Sequence, residues 1–165
     1  MGISFPPFRA LLPCLLLLAA SCAPLIAGYS LEAYKNATSL KAETLAMMAE
    51  ADEPYSQHAD SVEDLKVKLA AAEEFVAGMA NNSLSAQQWA IMNDPAGGLV
   101  GEYWVVWEQQ TTISAAARDA QIGQVREAFD EIICLEANKE KDTDCEQPAR
   151  GDHQQWRSST ISSRR

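Results

Sequence analysis

Hydrophobic positions fall in three long helical stretches and one broken one, framed by an apolar leader and a polar tail. In the first stretch Ser30 is a suitable N-cap, and the helix it opens runs to about Asp52. Leu31, Tyr34, Leu40, Leu45, Met48 and Ala51 lie along one stripe of that helix. Glu53-Pro54 ends it, because proline disfavours helix at the residue before it. The second stretch is the most regular. Tyr55, Val62, Leu69 and Val76 recur every seven residues, with Leu65, Ala72 and Met79 interleaved. This a/d seam predicts a helix packed lengthwise against another, ending at Asn81-Asn82-Ser83. In the last long stretch Thr111-Thr112-Ile113-Ser114 caps a helix running to about Ala137, with Asn138 as C-cap. Ile122, Val125, Phe129, Ile132, Ile133 and Glu136 outline its inner face, and Cys134 lies on the side away from Val125.

The middle is broken. Ser85-Ala-Gln-Gln88 fits a capping box opening a short helix through Trp89 and Met92, which Asn93–Gly98 stops. Tyr103-Trp104-Val105-Val106-Trp107 has strand-like composition but no partner strand, so Leu99–Glu108 is expected to be helical like its neighbours. The short connections suit antiparallel neighbours. The predicted fold is therefore all-α: a small antiparallel helical bundle over residues 30–138, with an aromatic-rich broken segment completing its core.

The leader bears on where the protein goes. A single charge at Arg9 precedes an apolar run of about a dozen residues, short of the ~20 that a bilayer crossing needs. Residues 1–21 thus read as an export signal. Leu18-Ala19-Ala20-Ser21-Cys22 resembles a bacterial lipobox, departing from it at Ala19, where leucine is usual. The resemblance covers the signal only. It implies acylation of Cys22, cleavage before it, and a tether over 22–29. Two or three acyl chains, at about 0.8 kcal/mol per buried CH₂, would anchor the protein stably. Ala23 rather than aspartate after the cysteine implies, in such lipoproteins, an outer-membrane anchor with the domain facing the periplasm. The alternative is an ordinary cleavage before Cys22 or after Ala27, giving a soluble secreted or periplasmic domain.

Removing the signal leaves roughly 140 residues, enough for one domain with a real core. The chain has 13 basic and 23 acidic residues; Arg9 leaves with the signal, so the mature charge is −11. Nucleic acid is thereby disfavoured as a partner, since its binding requires Lys and Arg against phosphates. With Cys14 in the signal and Cys22 at the lipid site, Cys134 and Cys145 remain, and an oxidising compartment favours pairing them. A loop of that size contributes roughly 2–3 kcal/mol. Residues 139–165 are polar apart from Trp156 and Ile161, and are expected to form a flexible tail.

Candidate chemistry is sparse. No nucleophile elbow, phosphate loop or zinc-protease pattern occurs, so no catalytic residue, metal or cofactor is expected. His58 has Val62 rather than a second ligand at i+4 and reads as a surface or seam-edge histidine. Arg150-Gly151-Asp152 resembles an integrin-recognition tripeptide, a match that arises easily by chance. The aromatic segment is the best candidate. Trp89, Tyr103 and Trp107 would anchor a partner if exposed, or complete the core if buried. The expected function is a membrane-tethered binding or adaptor domain for another envelope protein. The alternative is a small-ligand or hydrophobe carrier with a cavity beneath the Pro95–Gly98 break.

Overall fold

A computed structural model describes residues 26–141. Their elements are α1 (Leu31–Ala49), a 3-10 turn (Tyr55–Gln57), α2 (Ala59–Ala77), α3 (Ser83–Asn93), α4 (Val100–Gln110) and α5 (Ala115–Lys141). The protein is all-helical over these residues. The export signal, Cys22 and Cys145 lie outside them.

Ser30 caps α1 as expected, its Oγ accepting from the Ala33 N–H at 3.2 Å. The buried line of α1 differs from the expected stripe. It runs through Ala33, Ala37, Leu40, Thr44 and Met48, while Leu31 is 53% exposed. Alanines contribute little area but let a neighbouring backbone come close, and α1 makes the most extensive helix–helix interface of the fold with α5. Leu40, Met48 and Ala51 of the expected stripe are buried, and choosing by side-chain size misses Ala33, Ala37 and Thr44. In α2 the seam is as spaced: Val62, Leu65, Leu69, Ala72 and Val76 are all buried. Tyr55 and Met79 fall outside the helix, in the 3-10 turn before it and in the turn after it.

Two expected caps are corrected. α3 starts at Ser83, with Asn82 at the N-cap, so Ser85 is an interior residue and not a cap. Its hydroxyl is directed elsewhere, donating to Glu136 Oε1 at 2.7 Å. α5 does not end at Asn138 but continues through Lys141, placing Lys139 in the domain rather than the tail. The segment of strand-like composition is helical. Val100, Tyr103, Trp104 and Trp107 are its buried face at i, i+3, i+4 and i+7 spacing. α4 crosses the end of α3 at close range. A Cβ on Gly101 would stand 2.6 Å from the carbonyl carbons of Asn93 and Asp94, so only glycine fits that crossing.

α1, α2, α3 and α5 form the antiparallel bundle. Arg118, near the start of α5, donates to the Ala49 carbonyl at the end of α1 (3.2 Å) and pairs with Asp52 (3.0 Å). This satisfies an end carbonyl with a cation where the helix dipole favours one. Farther along the same interface Lys41 pairs with Asp130. α3 lies between α2 and α5, packing Trp89 edge-on against Phe129 at 5.9 Å. α4 closes the pole at which α1 ends, where Tyr55 N–H meets the Thr111 carbonyl (2.9 Å) and Ile113 N–H meets that of Ala51 (2.7 Å). At the opposite pole Ala27 N–H bonds the Asn81 carbonyl at 3.0 Å, and Lys139 Nζ donates to Asn82 Oδ1 at 2.5 Å. Both ends of the described chain therefore leave from one pole. No helix among the described residues is long and apolar enough to cross a membrane.

Candidate functional site

Trp89, Tyr103 and Trp107 are all buried, Trp107 completely. They do not present the aromatic face that a partner-anchoring role requires. The helical period of α4 turns Tyr103 and Trp107 toward the end of α1 and the 3-10 turn. Tyr103 donates its hydroxyl proton to the Met48 carbonyl at 3.0 Å, and Trp107 Nε1 donates to that of Glu53 at 3.1 Å. Tyr55 meets Trp107 edge-on at 5.5 Å. Burial pushes the Tyr103 phenol above its ordinary pKa, against the opposing pull of Arg118. These side chains build the core and hold α4 in register.

What they hold in place is a groove. Between α2 and α4 lies an open depression of about 420 Å³. Leu69, Val100 and Trp104, all buried, form its floor. Val67, Ala70 and Val105 line it above them, and Val67 is 69% exposed. Pro95 and Gly101 place it beside the break where the sequence suggested a cavity, although it is open to solvent rather than enclosed. Trp104 Nε1 and Asn93 Oδ1, on two lining residues, are buried without a hydrogen-bond partner among the described residues.

Two charged residues, Lys66 and Glu108, line the groove. Lys66 is engaged by Glu63 at 2.7 Å, and that hydrogen bond holds its pKa up. The Tyr55 phenol is raised by burial and then by the nearby Glu108 and Glu63 carboxylates. With Lys66 neutralised locally, Glu108 is the charge left to act on a visitor.

A second arrangement is absent from the sequence-based expectations. Glu136 is fully buried, and the Lys139 side chain is 3% exposed. Lys139 Nζ lies 2.8 Å from both Glu136 oxygens and 2.9 Å from Ser85 Oγ. A serine beside a lysine suggests nucleophile and base. Here the ammonium is occupied by Glu136, Ser85 and Asn82, and Ser85 has no exposed surface to meet a substrate. The cluster is a clasp between α3 and α5. Its signal in the sequence was Glu136 on the inner face with a lysine one turn later.

Cys134 is disulfide-bonded, and its expected partner Cys145 lies outside the described residues, as does the lipid-site candidate Cys22. His58 bonds Glu53 at 2.9 Å and rests against Trp107, with ring centroids 5.4 Å apart. No cluster of three metal-ligating side chains occurs among the described residues. No protein-family model, curated protein or solved structure matches this chain.

Proposed function

We propose that the chain is an envelope lipoprotein, anchored through Cys22, whose domain receives a cationic amphipathic segment of another envelope protein. The observation that carries this reading is the α2–α4 groove, apolar within and with Glu108 in its lining, on a domain of mature charge −11. Its volume lies within the ~300–1,000 Å³ usual for binding sites and would take a few apolar side chains. Fixed opposite charge speeds encounter and selects basic partners. Relative to the sequence-based expectation the roles are inverted. The partner brings the anchors, and this domain supplies the receptacle that Trp104 floors and Trp107 braces.

A synthetic amphipathic helix of leucine and lysine is the probe. It is expected to bind the mature protein, and Val67→Glu to weaken it about tenfold, or ~1.4 kcal/mol. The added carboxylate would strengthen a purely electrostatic association, so a loss identifies the apolar groove. Unchanged affinity, or equal binding of a leucine–glutamate helix, would reject the reading. Displacement by a fatty acid without peptide binding would instead support a hydrophobe carrier. The anchor is tested separately by intact mass from the membrane fraction. The expected species begins at Cys22, carries acyl chains, and gains two hydrogens on reduction of a Cys134–Cys145 bond. An unacylated soluble species would remove the membrane from the proposal.

A further inference from the structure

We propose that the groove's resting occupant is this chain's own C-terminal stretch, His153–Arg165, with Trp156 and Ile161 seated between α2 and α4. The inference rests on reading the groove as a binding site, and it adds that an outside partner must displace an internal one.

Complementary chemistry is the first support. His153–Arg165 contains Arg157, Arg164 and Arg165 and no acid, whereas residues 22–141 hold 8 basic and 19 acidic residues. Trp156 and Ile161 are the only large apolar residues after Leu135, so the stretch pairs two apolar anchors with three cations. The groove offers the matching surface: exposed Val67 and buried Leu69, Val100 and Trp104, with Glu108 in its lining and Lys66 engaged by Glu63.

Reach is the second. Lys139 sits at the pole of Asn82, whose side chain bonds the Val76 carbonyl near the end of α2. From Val76 back to Lys66 is ten residues of helix, about 15 Å at 1.5 Å per residue. From Cys145 to Trp156 is eleven residues, up to about 36 Å when extended. The tail is therefore longer than this axial distance even with Cys145 tied back to Cys134. The five-residue step from Trp156 to Ile161 spans ~7.5 Å as helix and ~17 Å extended. The ~10 Å that α4 covers between Gly101 and Glu108 falls between these two spans.

The test uses the full mature chain with Trp156 replaced by photoreactive p-benzoyl-phenylalanine. Irradiation is expected to link that position, within one molecule, to peptides containing Val67–Ala70 or Val105–Glu108. The yield should fall several-fold between 0.1 and 1 M salt, as screening shortens the reach of the arginines. Links to other faces of the domain, or between two chains, would overturn the inference. A second measurement separates it from the functional reading. Trp156→Ala is expected to bind the leucine–lysine helix about tenfold more tightly, because the competitor is gone. Correct links without any helix binding would keep the tail contact and reject the outside partner. Helix binding that Trp156→Ala leaves unchanged would keep the partner and reject the tail contact.

Discussion

Trp107→Ala should remove a large part of the domain's stability. Truncating a buried tryptophan costs about 3–5 kcal/mol, against total domain stabilities of ~5–15 kcal/mol. Trp107 has no exposed surface, and it touches Tyr55, His58, Tyr103 and Trp104. Its loss would also strand the Glu53 carbonyl, which accepts its indole proton. Urea unfolding followed by circular dichroism reads the change. Trp107→Phe keeps a ring in the site and leaves the carbonyl as the main deficit, so it should cost only about 1–3 kcal/mol. A Trp107→Ala protein with an unchanged midpoint would place the side chain at the surface and return it to the candidate interface.

Lys139→Met is expected to be nearly as damaging, at about 3–5 kcal/mol, although it removes one lysine near the end of the last helix. The variant leaves the Glu136 carboxylate buried with Ser85 as its remaining partner. Adding Glu136→Leu should recover most of the loss, because two apolar residues of similar volume commonly replace a buried ion pair at little cost. Thermal melts of the two single variants and the double variant form the cycle. If the double variant is no better than Lys139→Met, the damage comes from lost packing and the clasp is not held by its charges.

The same lysine shows where the sequence was hard to read. Lys139 opens a polar run, and polarity reads as solvation unless a partner is known. Its partners Asn82 and Ser85 lie more than fifty residues away in the chain. Ser85 matched a capping box in spacing, yet the helix had begun two residues earlier and the hydroxyl faced Glu136. α2 was legible because each turn of its seam carries an apolar side chain. α1 was half legible because its buried line passes through Ala33 and Ala37, whose role is closeness of approach and not bulk. In α4 the periodicity of Val100, Tyr103, Trp104 and Trp107 outweighed a strand-like composition. The break at Pro95 marked one end of the groove. Its α2 wall, with Val67 among charged neighbours, gave no signal, since a shallow groove between two helices leaves no period in either.

The pairing of α1 with α5 has a consequence for how the molecule comes into being. The two helices in most extensive contact are the first and the last of the described residues, and their Lys41–Asp130 contact joins residues 89 positions apart. Non-local contacts must bear the entropy of loop closure before they return any stability, which slows folding relative to bundles built from sequence neighbours. A nascent chain that stops short of α5 has nothing to lay against Ala33 and Ala37. Folding of this domain is therefore completed only once α5 is available.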